Sequence, residues 1–165
     1  MEPVIVVMGV SGSGKSRVGA ALAEALGFAF VDGDDLHSPA NIAKMDGGTS
    51  LTDADRAGWL DTVAGQVRPG VVIAGSALNR AYRDRIRDGA AWRVVIVQLS
   101  GEQALLEARL ARRRGHFMPP GLLESRLATL EPPGDDEDAI TVDISPDPAK
   151  IVRMIRNRLE SGLID

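Results

Sequence analysis

Residues 9–16, GVSGSGKS, contain three glycines, three serines, a lysine and a single valine, directly after the apolar run VIVVM at residues 4–8. The spacing GxxxxGK[ST] is that of a phosphate-binding loop when a strand precedes it and a helix follows it. Glycine tolerates positive φ, so we expect Gly9, Gly12 and Gly14 to turn backbone N–H groups inward, towards an anion at the helix N-terminus. The stretch predicts a nucleoside triphosphate site rather than a flexible Gly/Ser turn.

Two residues at the end of this loop have separate predicted roles. Lys15 is expected to reach the β- and γ-phosphates of ATP and to act in catalysis by stabilising the transferring group, and the Ser16 hydroxyl is expected to hold Mg²⁺. The set of predicted ATP-binding residues around them includes Gly9, Ser11, Gly12, Ser13, Gly14 and Arg17.

Two carboxylates follow the second apolar run, in VDGDDLH. Side chains two apart in an extended chain point the same way, so Asp32 and Asp34 are expected to face one side. Carboxylates beside phosphates need a cation or a transferable proton. We therefore expect Asp32 to share the metal site with Ser16, and Asp34 to be the catalytic base that accepts a proton from an attacking hydroxyl. The alternative is an Asp-rich turn that caps a helix beginning near Leu36.

An excess of arginine characterises residues 80–114, which contain nine arginines and four acids, so an anion is expected to bind there. Arg109 and Arg113 are four apart and share a helix face. Glycine and proline residues follow at 115–120. We predict a lid near residues 109–122 that excludes water, in which both arginines bind ATP and Arg113 is catalytic. The alternative is a solvated helix end.

Five apolar runs alternate with helical stretches, which predicts an α/β fold in which helices cover both faces of a five-stranded parallel sheet. The runs are residues 4–8, 29–31, 71–74, 94–99 and 139–144. Thr52 is a predicted N-cap for the helix that follows it. The acidic stretch PPGDDED, residues 132–138, is predicted to be a solvated loop.

Length and composition predict a single domain over residues 1–165. The chain is 44% hydrophobic and 25% charged, as in ordinary globular proteins, and its lack of cysteine excludes disulfides and thiolate chemistry. No signal peptide or membrane span is expected, and use of nucleotide predicts the cytoplasm. A net charge of -4 and few aromatic residues argue against nucleic acid as a partner.

The motifs taken together resemble those of the gluconate kinases, in order and at similar spacing over nearly the whole chain. They are GVSGSGKS, DGDDLHSPANIAKM, LTDADRAGWL, SALNRAYRDRIR and GHFMPPGLLESRLATLEPP. The resemblance implies ATP-dependent phosphorylation of D-gluconate on its terminal hydroxyl. It also implies the P-loop kinase fold of the nucleoside monophosphate and shikimate kinases, and a homodimer.

Carried over by position, the resemblance also implies a set of substrate-binding residues: Asp34, His37, Lys44, Arg83 and His116. Each cation among them has an alternative role. His37 would bond its own turn, Lys44 would be a solvated helix charge, and Arg83 would pair with a neighbouring acid or helix. His116 would order the lid or only pack beneath it.

The chain departs from the family pattern at several positions. Gly75 and Asn79 stand where cysteine and lysine are usual, Arg126 stands where glutamine is usual, and Ser38 and Gly58 replace prolines. Asn79 removes a positive charge from the predicted substrate rim.

A shikimate kinase and a non-catalytic ATP-sensing module are the alternative functions. A shikimate kinase would carry three glycines after the third strand, where this chain has GSA.

Overall fold

A computed structural model describes residues 2–9, 13–49, 51–75, 80–88, 92–112 and 131–162. The strands among them are β1 Val4–Met8, β2 Ala29–Asp32, β3 Val71–Gly75, β4 Val94–Ser100 and β5 Ala139–Asp143. The helices are α1 Lys15–Leu26, α2 Pro39–Asp46, α3 Asp53–Ala64, α4 Arg80–Asp88, α5 Gln103–Arg112 and α6 Pro148–Gly162. Every pairing is parallel and the strand order is β2-β3-β1-β4-β5, which confirms the predicted fold class.

The central strand β1 is buried on both faces because helices pack on each side of the sheet. Ile5 and Val7 belong to one apolar cluster, together with residues of α1, α5 and α6. Val4, Val6 and Met8 belong to a second cluster, with residues of α3 and α4. Burying each large aliphatic side chain contributes about 1.5–3 kcal/mol. The phosphate loop therefore follows the central strand of the sheet, whose five residues are all buried.

Side-chain caps set the start of two helices. Thr52 Oγ1 accepts from the backbone N–H of Asp55 at 3.1 Å, and Asp55 Oδ2 accepts from the N–H of Thr52 at 2.9 Å, which confirms the predicted cap. Ser38 caps α2, since its Oγ accepts from the N–H of Asn41 at 3.1 Å. The helix expected near Leu36 thus begins at Pro39, and Leu36 ends a 3-10 turn over Gly33–Leu36.

The acidic stretch after residue 131 is docked on α4, so the prediction of a solvated loop is wrong at Glu137. Arg83 donates from Nε to Glu137 Oε1 at 2.8 Å and from Nη2 to Oε2 at 3.1 Å. Arg87 donates to the same carboxylate at 2.7 Å, and the Gly134 N–H donates at 2.8 Å. The side chains of Arg83 and Glu137 are 0% and 1% exposed. Composition indicated solvation, but the arginines of α4 supply the counter-charges that allow burial.

The arginines of residues 80–93 are all paired with acids of this chain, so their excess charge is balanced internally. Arg80 bonds Asp136 and Asp84, Arg85 bonds Asp61, and Arg93 bonds Asp138. This arrangement gives no support to the expectation that an external anion binds at these residues.

Replacing Glu137 by glutamine is expected to lower the free energy of unfolding at pH 7 by about 3–5 kcal/mol, because the charge of Arg83 is left buried without its partner. Burial alone would raise the pKa of Glu137, but hydrogen bonds from Arg83, Gly134 and Arg87 outweigh it and lower the pKa from 4.5 to about 2. The carboxylate therefore contributes its full stability above pH 4.5 and loses it as the pH falls towards 2.

Urea unfolding across this pH range measures both effects. The stability difference between the native chain and Glu137→Gln should be largest at neutral pH and should shrink below pH 4.5. Asp136→Asn is the matched control, since Asp136 is 66% exposed and its loss should change stability far less. Equal effects of the two substitutions would contradict a buried ion pair.

Candidate active site

The phosphate loop joins β1 to α1 at the carboxyl edge of the sheet. Gly14, the N-cap of α1, has φ 85°, a conformation that glycine adopts without the strain that a Cβ brings. Lys15 is the first residue of α1 and is largely buried, at 9% exposure. Backbone N–H groups at a helix start, together with a lysine, suit a bound phosphate. Ser11 and Gly12 lie outside the described residues.

Gly9 differs from the expectation, because its φ is not positive. A Cβ at this position would lie 2.4 Å from Ser13 Oγ and 3.3 Å from the carbonyl oxygen of Leu99. Gly9 is therefore required for close packing of the loop upon itself rather than for a turn. Ser13 Oγ is buried and has no hydrogen-bond partner among the described residues.

The start of α1 and the end of β2 meet in a direct hydrogen bond. Ser16 Oγ donates to Asp32 Oδ2 at 2.8 Å. A hydroxyl and a carboxylate oxygen are suitable ligands for Mg²⁺. The structure thus brings together the two residues predicted to share a metal, although they are 16 positions apart. Arg17, the next residue, is exposed.

The turn that carries Asp34 does not have the expected geometry. β2 ends at Asp32 and the chain enters the 3-10 turn at Gly33, so the rule for extended chains does not relate Asp32 to Asp34. The reason is local: Gly33 begins the turn directly after the strand. Asp34 is described in its backbone only, and its predicted role as the base stays a prediction.

His37 follows this turn and is held by two residues that sequence reasoning missed. Its ring stacks on Trp59, with centroids 4.9 Å apart and planes 10° from parallel. Its Nδ1 lies 3.3 Å from Nδ2 of Asn41, whose amide nitrogen also donates to the carbonyl oxygen of Asp55 at 3.2 Å. With the amide as donor, Nδ1 accepts and the imidazole proton lies on Nε2. The motif that contains Trp59 was recognised, but the spacing gave no indication that this indole contacts His37.

Lys44, the third predicted substrate ligand, connects α2 to α3. Its Nζ donates to Asp55 Oδ2 at 2.7 Å, and its side chain is 42% exposed. The hydrogen bonds from Lys44 and from the backbone N–H of Thr52 lower the pKa of Asp55 to about 2. Lys44 is neither buried nor a purely solvated charge, so an anionic ligand would compete with Asp55 for it.

Arg83, the fourth predicted substrate ligand, is fully buried in its ion pair with Glu137, and its Nη1 also donates to the carbonyl oxygen of Glu131 at 2.8 Å. No surface of its side chain is open to a ligand in this structure. The arrangement matches the alternative of a structural ion pair, with an acid 54 residues away rather than with the neighbouring Asp84. A direct contact with substrate has no support from these contacts.

Arg109 reaches the segment that follows β5. Its Nη2 donates to the carbonyl oxygen of Ile144 at 2.7 Å. Ser145 donates from its backbone N–H and its hydroxyl to the carboxylate of Asp143, each at 2.9 Å, which lowers the pKa of Asp143. These contacts place Arg109 near the carboxyl edge of the sheet, and its role in ATP binding stays a prediction. Arg113 and His116, like the departures at Asn79 and Arg126, lie outside the described residues.

Comparison with known proteins agrees with this geometry. Residues 4–133 match the protein family described as AAA domain. A gluconokinase of Gluconobacter oxydans is 51% identical over 144 residues, which cover 84% of this chain and 80% of that protein. The thermoresistant gluconokinase of Escherichia coli is 43% identical over 148 residues, which cover 86% of this chain and 84% of that protein.

Solved structures show the same likeness. A gluconokinase from Sinorhizobium meliloti superposes with a TM-score of 0.89 at 46% identity, covering 98% of this chain and 95% of that one. A shikimate kinase from Aquifex aeolicus superposes with a TM-score of 0.62 at 20% identity, covering 98% of each chain. The second likeness concerns the fold alone.

Proposed function

The chain belongs to the gluconokinase family, and we propose that it transfers the γ-phosphoryl group of ATP to the terminal hydroxyl of D-gluconate, giving 6-phospho-D-gluconate. The observation that carries this proposal is the 51% identity to a gluconokinase over 144 residues, and the 2.8 Å hydrogen bond between Ser16 and Asp32 supports it in the structure. This hydrogen bond joins the phosphate loop to the strand end that leads into the turn with Asp34. This contact supports a site in which donor and acceptor meet at one edge of the sheet, where ligands of open α/β sheets bind.

Magnesium suits the oxygen atoms at this position. The Ser16 hydroxyl and the Asp32 carboxylate are the residues that would hold the ion, since Mg²⁺ prefers oxygen ligands and keeps several waters. When bound, Mg²⁺ offsets the negative charge of the β- and γ-phosphates. Both residues are proposed ligands on the strength of their chemistry and of their 2.8 Å contact.

The proposed transfer assigns separate tasks to Asp34 and Lys15. The Asp34 carboxylate accepts the proton of the terminal hydroxyl as that oxygen bonds to the γ-phosphorus. The bond from the γ-phosphorus to the bridging oxygen breaks at the same centre, and ADP leaves with the electron pair. Lys15 stabilises the charge on the transferring group through its ammonium. Gly9, Ser13, Gly14 and Arg17, beside Lys15, are proposed to complete the ATP site.

Recognition of the sugar acid is proposed to involve His37 and Lys44. An imidazole with its proton on Nε2 donates a hydrogen bond to a hydroxyl or carboxylate oxygen. Lys44 offers a cation to the carboxylate, and its present bond to Asp55 keeps its ammonium at the start of α3. An anionic substrate requires at least one such cation.

Other aspects of the family resemblance are proposals for this chain. They are a homodimer, a cytoplasmic location, and a single domain with a lid near residues 109–122, most of which lies outside the described residues. None of the helices in the described part of the chain is long and apolar enough to cross a bilayer.

Release of ADP from ATP and Mg²⁺ by the purified protein tests the proposed function. We expect release that depends on D-gluconate and stops when EDTA removes the metal, with shikimate, other sugar acids and no acceptor as parallel arms. Release with a different acid alone would retain the kinase chemistry and overturn the substrate. ATP binding without release in any arm would indicate the ATP-sensing alternative.

A further inference from the structure

We propose that Trp59 is a positioning residue for phosphoryl transfer. It holds the 3-10 turn with the proposed base, and the ring of His37, in one arrangement. The inference rests on the function proposed above, because both groups are assigned to the acceptor side of that reaction. Trp59 belongs to none of the ATP-binding, metal-binding or substrate-binding sets derived from the sequence.

The indole of Trp59 contacts the turn and the imidazole at the same time. It is 5% exposed, and its Nε1 donates to the carbonyl oxygen of Gly33 at 2.7 Å in a buried hydrogen bond. The ring stacks on His37 with a centroid separation of 4.9 Å. A displacement of the Trp59 side chain would therefore shift both the backbone just before Asp34 and the imidazole of His37, just after the turn.

Two glycines at the ends of neighbouring strands lie beside the indole. A Cβ on Gly33 would lie 3.5 Å from Trp59 Cζ2 and only 2.6 Å from the carbonyl oxygen of Ala74. A Cβ on Gly75, at the end of β3, would lie 3.5 Å from Cζ2 and Cη2 of the same ring. The turn thus lies between the backbone of β3 and the indole. The orientation of the Gly33 carbonyl therefore depends on the hydrogen bond that it accepts from the indole N–H of Trp59.

Asn41 supplies the second support for the imidazole. It is the buried residue of α2, at 6% exposure, and it connects His37 to the carbonyl oxygen of Asp55 on α3. Trp59 lies one turn further along α3. The same helix therefore fixes His37 twice, once by ring stacking and once through the amide of Asn41.

Placement of this kind affects the rate of transfer more than the affinity for ATP. Reacting groups must be held within about 0.5 Å of their productive geometry, and a misplacement of about 1 Å costs roughly a hundredfold in rate. Phenylalanine at position 59 retains an aromatic ring but donates no hydrogen bond, so the Gly33 carbonyl loses its partner. The phosphate loop connects β1 to α1, whereas the turn follows β2, so the substitution leaves the residues of the ATP site unchanged.

The kinetic test compares Trp59→Phe with Trp92→Phe. Trp92 packs at the edge of the same apolar cluster, so it is a matched control for loss of an indole. We expect Trp59→Phe to lower kcat with gluconate by roughly tenfold to a hundredfold, with the KM for ATP close to that of Trp92→Phe, although the loss of a buried hydrogen bond also lowers its thermal midpoint. An unchanged kcat in Trp59→Phe, or an equal loss in both variants, overturns the inference. A native enzyme that does not phosphorylate gluconate overturns the proposed function instead, and this inference with it.

Fluorescence keeps the inference testable if Trp59→Phe folds poorly. The chain has two tryptophans, so the tryptophan emission of the Trp92→Phe variant comes from Trp59 alone. Saturating gluconate should change this emission, with a midpoint near its KM, because the acceptor engages the ring that stacks on the indole. Emission from Trp59 that does not respond to saturating gluconate overturns the inference.

Discussion

Asp34→Asn should lower kcat by about a hundredfold to ten-thousandfold, the usual contribution of a positioned general base. Asparagine has nearly the same shape as aspartate, but it does not accept the proton that the hydroxyl must lose. The affinity for ATP should stay close to that of the native chain, because the substitution changes no residue of the phosphate loop and neither residue of the Ser16–Asp32 contact. Steady-state kinetics with gluconate, and calorimetry with a non-hydrolysable ATP analogue, measure the two quantities.

Asp35→Asn is the matched control for this prediction. Asp35 is exposed and belongs to the same 3-10 turn, so the same change of charge occurs one residue away. We expect its turnover to stay within a few-fold of the native value. Native-like turnover in Asp34→Asn would assign proton removal to another group, and equal losses in both variants would indicate an effect of charge rather than of a base.

Lys15→Ala is expected to reduce kcat by at least about a hundredfold, since it removes a buried cation from the site where negative charge is transferred. The loss should appear in kcat as well as in the KM for ATP, because the ammonium stabilises the transferring group as well as the bound phosphates. Rapid-quench measurement of a single turnover distinguishes slower transfer from slower product release.

A lysine on the surface controls for loss of charge. Lys150 is exposed on α6, and Lys150→Ala should leave the kinetic constants near those of the native chain. If Lys15→Ala retained its kcat, the proposed role of this lysine in transfer would be wrong, whatever its effect on ATP affinity.

Most of the sheet was predictable because its strands are buried on both faces and are therefore unbroken apolar runs. The run VIVVM became β1, and Thr52 was recognisable as a cap because its signal is local. The least accurate local prediction was at Gly33, where a 3-10 turn replaced an extended chain. The composition at the end of a strand does not indicate whether the residues that follow remain extended.

The candidate site was only partly predictable, because several of its contacts join distant parts of the chain. The loop motif located Lys15 and Ser16, and the strand end located Asp32. The bond from Trp59 to Gly33 spans 26 residues, and no periodicity or spacing indicates it. Arg83 has the charge that a ligand for an anionic substrate needs, but it pairs with Glu137. Glu137 belongs to an acidic stretch whose composition predicts exposure to solvent.

The buried pair of Arg83 and Glu137 also has a consequence during protein synthesis. Ribosomes add roughly 5–20 residues per second, and 54 positions separate the two residues, so the guanidinium waits on the order of several seconds for its carboxylate. Until then α4 carries a charge that is costly to bury against the sheet. Stable docking of α4 is therefore expected only after the region around Glu137 has left the ribosomal tunnel.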